Sequence, residues 1–157
     1  MREPEPLTLP DAGATEALGA SLAAALPDLS NSSLVLHLRG DLGVGKTTFT
    51  RGFLRELGVT GVVRSPTYTL VEPYALAGLT CIHVDLYRLR DPADLADLGL
   101  RDYLAPAHVL LIEWPEKGGR EVPPADLEIG LDYAPAGRVA QLLPRSAAGA
   151  ALAAHVA

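Results

Sequence analysis

The stretch Gly40-Asp41-Leu42-Gly43-Val44-Gly45-Lys46-Thr47-Thr48-Phe49 limits what this chain can fold into more than any other. It follows the apolar run LVLHL at 34–38, read within a strand over 32–38. It leads into a segment where Phe49, Phe53, Leu54 and Leu57 recur at helical spacing and Gly58 supplies a stop, which predicts a helix over 47–57. Strand, Gly-x4-Gly-Lys-Thr, helix is the order of a phosphate-binding P-loop. The residue types follow from the chemistry. Successive backbone N–H groups have to converge on phosphate oxygens, and glycines allow both the dihedrals and the close approach. The helix that starts at Thr47 points its free amides and the positive end of its dipole at the same anion. Lys46 is one of two lysines against eleven arginines, so this position takes a compact ammonium and not a guanidinium. In such a loop the lysine reaches the β- and γ-phosphates and the threonine hydroxyl ligates Mg²⁺.

A P-loop metal needs carboxylates from neighbouring strand ends, and two fit. Asp85 closes CIHVD and Glu113 closes VLLIE, each where a strand leaves the sheet on its ligand-binding edge. Spacing alone leaves open which of the two touches the metal and which orients water. Between the helix and the next strand lies RSPTYTLVEPY, with Thr67 twenty-one residues after Lys46. A threonine in that connection is the γ-phosphate sensor of switch-type nucleotidases. The same segment also reads as an ordinary strand start with a capping threonine. The single Asn31 rules out an Asn-Lys-x-Asp guanine-reading motif, so ATP is expected over GTP. Arg88 and Arg90 read as surface charges or as phosphate or partner contacts, and Trp114 as core packing or as a nucleotide-side contact.

The remaining pattern predicts a short strand and a helix opening near Asp11 or Thr15. It also predicts two antiparallel strands turning at Ala77-Gly78, and a helix punctuated by Asp91, Pro92 and Gly99. The apolar run from His108 to Trp114 reads as a strand covered on both faces, and residues 126–143 as a hairpin around APAG. The fold class is α/β: a three-layer P-loop NTPase fold with a mostly parallel central sheet and an antiparallel switch-type hairpin. Residues 1–145 are expected to form one domain, with 146–157 an Ala-rich helix or tail. With 48% apolar residues, 157 residues are enough to bury a core. The apolar runs are too short to span a bilayer, and no secretory signal is read at the N-terminus, so a cytoplasmic location is expected. One cysteine excludes an internal disulfide, and four scattered histidines supply no zinc-site spacing. A net charge of −6 disfavours a protein whose main task is gripping nucleic-acid backbone.

GDLGVGKTTFTRGFLRELG, SPTYTLVEPY, HVDLYRL, LGLRDYL and IEWPEKG, in that order, closely resemble the bacterial TsaE (formerly YjeE) ATPases of tRNA threonylcarbamoyladenosine biosynthesis. The resemblance runs from about residue 7 to residue 138, with no departure inside the motifs. It implies ATP and Mg²⁺ as cofactors, with Leu42, Gly43, Val44, Gly45, Lys46, Thr47 and Thr48 around the phosphates. It implies Thr47 and Glu113 as metal contacts, Asp85 as the Walker-B-type carboxylate beside them, and Thr67 as the switch residue. Ala12 and Arg138 are expected near base and ribose. Lys46, Asp85, Thr67 and Glu113 form the expected catalytic set. The expected partner is the TsaD–TsaB pair, with tRNA met through that complex, and neither a membrane nor zinc is expected.

The leading expectation is an ATPase, slow alone, that resets the modification complex between rounds. No arginine is positioned by these motifs to act as a finger, and without one hydrolysis by P-loop proteins is slow. A small phosphotransferase and a nucleotide-gated binding module with incidental hydrolysis are the alternatives.

Overall fold

The structure, a computed structural model, describes residues 4–66 and 68–156. In chain order the elements are β1 (Leu7–Leu9), α1 (Ala12–Ala24), β2 (Ser33–Arg39), α2 (Lys46–Glu56), β3 (Val71–Leu76) and β4 (Leu79–Asp85). They continue with β5 (His108–Glu113), β6 (Leu127–Tyr133), β7 (Arg138–Pro144) and α3 (Ala147–Ala154). The strands form one sheet in the order β1-β7-β6-β2-β5-β4-β3. The four central strands β6, β2, β5 and β4 run parallel, and the flanking pairings are antiparallel. Burial explains the order. β2 and β5 are apolar and covered along almost their whole length, as central parallel strands must be. β3 is largely exposed and carries Pro73, which lacks a donor and is tolerated at an edge.

α1 and α2 cover one face. Asp11 caps α1 by accepting the Ala14 amide at 2.8 Å. The two helices approach so closely that a Cβ on Gly19 would lie 2.1 Å from the Phe49 carbonyl oxygen, and one on Gly52 2.0 Å from that of Glu16. Phe49, Phe53 and Leu54 are thereby pressed onto Leu36 and Leu38 of β2 in a single apolar cluster. Leu152 of α3 belongs to the same cluster, and Ser146 caps α3 by accepting the Gly149 amide at 3.1 Å.

The opposite face is covered differently from the sequence expectation. Residues Pro92–Leu98 and Leu100–Tyr103 form 3₁₀ turns and not an α-helix. The expected punctuation is present, with Asp91 accepting the Ala93 amide and Gly99 at φ 63°. Only seven residues lie between these stops, and the cost of nucleating an α-helix is poorly repaid over so few. Leu95 and Leu100 pack there on Ile82, Val84 and Ile112. Among the described residues no helix is long and apolar enough to cross a membrane.

Candidate functional site

β2 ends in the sheet centre, and the chain must turn at once to start α2 on the same face. Gly40 (φ 148°), Gly43 (φ 75°) and Gly45 (φ 117°) make that turn. A Cβ at Gly40 would stand 2.6 Å from the Leu131 carbonyl oxygen, so this position combines a left-handed dihedral with a close approach. Gly45 caps α2 without any side-chain oxygen, and Phe49 is the first amide bonded back, to Gly45 O at 2.9 Å. The amides of Lys46, Thr47 and Thr48 are the helix's unpaired first donors and form an anion-binding mouth.

Strand register brings the acids to this mouth. Leu38 is opposite Glu113, and Glu113 is opposite Asp85, so both carboxylates end parallel strands beside the loop. A cavity of about 340 Å³ is lined by Gly45, Lys46, Thr47, Asp85, Glu113 and Trp114. Leu42, Gly43 and Thr48 border it as well.

Lys46 is buried. Its ammonium donates to the Gly40 carbonyl and lies 3.6 Å from the centroid of the Trp114 ring. Burial holds its pKa below the ordinary lysine value, partly offset by the negative charges of Glu113 and Asp85. Asp85 is half-buried, and its Oδ1 accepts the Tyr87 amide at 3.0 Å. Loss of water and then the charge of Glu113 raise its pKa, while the Tyr87 amide and Lys46 pull it back. Glu113 is 2% exposed and accepts a 2.6 Å hydrogen bond from His83 Nε2. Thr47 Oγ1 shares a 2.7 Å hydrogen bond with Ser65 Oγ.

Ala12 and Arg138 meet on the other side of the loop, in a cavity of about 240 Å³ that also touches Gly43, Gly45 and Thr48. Arg138 Nε donates to Val44 O at 3.1 Å, and its guanidinium lies 4.5 Å from the Tyr133 ring centroid. Tyr133 OH donates to Leu42 O at 2.6 Å. Leu42 and Val44 therefore take part through their backbone: the Leu42 side chain is exposed and that of Val44 belongs to the core. Thr67 lies outside the described residues.

One feature went unread in the sequence, and two others that were read with alternatives open, Arg88 and Trp114, both line the cavity beside Lys46. His83 stands two residues before Asp85 on the same face of β4, and an imidazole inside CIHVD was its only signal. Arg88, read as a surface charge or as a phosphate or partner contact, lines the cavity of Lys46, Asp85 and Glu113, with its guanidinium 5.2 Å from the Tyr68 ring centroid. Trp114 adopts φ 56°, ψ 47°, a left-handed conformation rare for so large a residue, and so turns back over Lys46.

The donor set suits magnesium with a nucleotide. Among the described residues no group of three or more His, Cys, Asp or Glu forms a metal site by itself. Mg²⁺ commonly takes only one or two carboxylates, completing its shell with hydroxyl, water and phosphate oxygens. The Asp85 and Glu113 carboxylates, lining one cavity with the Thr47 hydroxyl, meet that requirement.

Fold and loop together define a member of the P-loop class of α/β proteins. The family sequence model described as "Threonylcarbamoyl adenosine biosynthesis protein TsaE" matches residues 9–140, and the chain belongs to the TsaE family. It is 46% identical over 120 residues to the tRNA threonylcarbamoyladenosine biosynthesis protein TsaE of Haemophilus influenzae, covering 76% of each chain. It is 44% identical over 95 residues to the protein of that name from Bacillus subtilis, covering 60% of this chain and 59% of the relative. The crystal structure of Bacillus subtilis YdiB superposes with a TM-score of 0.72 at 28% identity, covering 98% of this chain and 95% of that one.

Proposed function

We propose that this protein binds ATP with Mg²⁺ in the cavity between the loop and the ends of β4 and β5. There it hydrolyses ATP in the service of tRNA threonylcarbamoyladenosine formation, acting with a TsaD–TsaB pair that contacts the tRNA. One observation carries the reading: a buried ammonium, a helix mouth without a capping side chain and two in-register carboxylates surround a single cavity. The loop amides and Lys46 hold the β- and γ-phosphates, and the Arg138 side of the loop takes the nucleoside. Thr47, Glu113 and Asp85 hold the metal, which when bound neutralises charge developing on the transferred phosphoryl group. Asp85 and Glu113 also confine the attacking water to the strand ends. The support for slow turnover in isolation is that Arg88, the one arginine among the described residues lining this cavity, lies over the exposed Tyr68 ring, 5.2 Å from its centroid.

The test is phosphate release by the purified protein, with and without TsaD–TsaB and tRNA. Slow release to water that accelerates with the complex is expected. Label retained on an acceptor would mark a phosphotransferase, and turnover indifferent to the complex would remove the partnership.

A further inference from the structure

We propose that His83 is a positioning residue for Glu113. Its Nε2–H holds one carboxylate oxygen, so that the other faces a divalent cation beside Thr47. The inference rests on the Mg²⁺–nucleotide reading above.

The bond is short and fully enclosed: 2.6 Å from Nε2 to Glu113 Oε2, with His83 0% and Glu113 2% exposed. It runs diagonally across the sheet. His83 is opposite Leu111 while Glu113 is opposite Asp85, so the two strands carry the pair to the cavity in fixed register. Core packing does not account for an imidazole here. Cys81, two residues earlier on the same face, sits in the apolar cluster, and Val84 next in the chain fills the other one. A buried ring of this kind is costly unless it is hydrogen-bonded.

Its second nitrogen, Nδ1, has no partner among the described residues. With the proton on Nε2, Nδ1 is a bare lone pair and no buried donor is orphaned, which leaves the bond to Glu113 as the ring's one polar contact. A carboxylate at a metal is commonly held in this way through one oxygen, and loss of the holding group lowers metal affinity about 10–100-fold.

The test compares His83→Gln with His83→Asn. A glutamine amide reaches as far as Nε2, whereas an asparagine amide stops near Nδ1, so both keep a polar side chain and only one keeps the bond. The readout is ADP affinity followed by Trp114 emission, with Mg²⁺ and in chelator, on variants whose thermal melts verify folding. In His83→Asn the gain in ADP affinity from Mg²⁺ should fall ~10–100-fold, with affinity in chelator little changed. His83→Gln should restore the gain. In a Glu113→Gln background His83→Asn should cause no further loss. Wild-type Mg²⁺ dependence in His83→Asn, equal loss in Asn and Gln, or a second full loss in the double variant would overturn the positioning role. A wild type that binds ADP without responding to Mg²⁺ would also overturn it. Failure of the wild type to bind ADP at all is a separate result and refutes the parent reading.

Discussion

The Lys46 ammonium lies 3.6 Å from the centroid of the Trp114 ring, and it reaches there because Trp114 turns left-handed directly after Glu113. The P-loop lysine thus rests on an aromatic face while donating to the Gly40 carbonyl. A cation held over indole gains about 0.5–2 kcal/mol, less than a charge-assisted bond to phosphate, so a nucleotide should draw the ammonium away. Trp114 is the only tryptophan. Its emission should change on adding Mg–ADP, and Lys46→Met should both abolish that change and weaken binding ~10–100-fold. A fluorescence titration of the two proteins decides it, and an equal response from both would contradict the assignment.

Asp85 supplies a pH prediction. Burial and the charge of Glu113 raise its pKa in the fold above the ordinary 3.8. A carboxyl raised in the native state favours folding while protonated, below about 3.8, and this contribution is lost as pH rises through the elevated value. Ionised Asp85 therefore destabilises the fold at neutral pH. Asp85→Asn should melt higher than wild type at pH 7, and the advantage should vanish below pH ~4. The same variant should lose ATP turnover. Melting curves across pH check the first part; a lower melting temperature at pH 7 would contradict it.

Gly52 tests the packing that holds α2 and its loop in place. Alanine in mid-helix gains about 0.5–1 kcal/mol over glycine from backbone entropy. Here the new Cβ would meet the Glu16 carbonyl oxygen at 2.0 Å, and backbone cannot swing aside as a side chain can. Overlap of this kind costs about 1–3 kcal/mol and should win. Gly52→Ala is expected to lower stability in urea unfolding, and a rise would mean that the two helices are free to part.

Arg138 and Tyr133 hold the carbonyls of Val44 and Leu42 from the β6–β7 hairpin. Each such bond is worth about 0.5–1.5 kcal/mol, so Arg138→Ala should weaken ATP binding ~3–10-fold by loosening the loop. Because Arg138 lines the cavity away from Asp85 and Glu113, the Mg²⁺ dependence of binding should be retained. Titrations at several Mg²⁺ concentrations separate the two effects.

What the sequence disclosed was local. β2, the glycine loop and α2 are contiguous, so each residue's place in the fold follows from its neighbours. The β3–β4 turn is equally plain because Gly78 supplies the positive φ it needs. The helical character of 92–98 was visible in its caps, but α and 3₁₀ share those caps and only the distance between them decides. His83 was not legible because its meaning depends on the pairing of β4 with β5, which no short spacing encodes. The same holds for α3: an alanine-rich run has no polar face to orient it. What seats it is Gly149, where a Cβ would lie 1.7 Å from the Asp126 carbonyl oxygen.

The most direct test of the account is calorimetric titration of Mg–ATP into the wild-type protein and into Lys46→Ala. One saturable site in the wild type, lost or severely weakened in the variant, is the predicted result. Heat indistinguishable from dilution in the wild type, or equal affinity in both proteins, would contradict it.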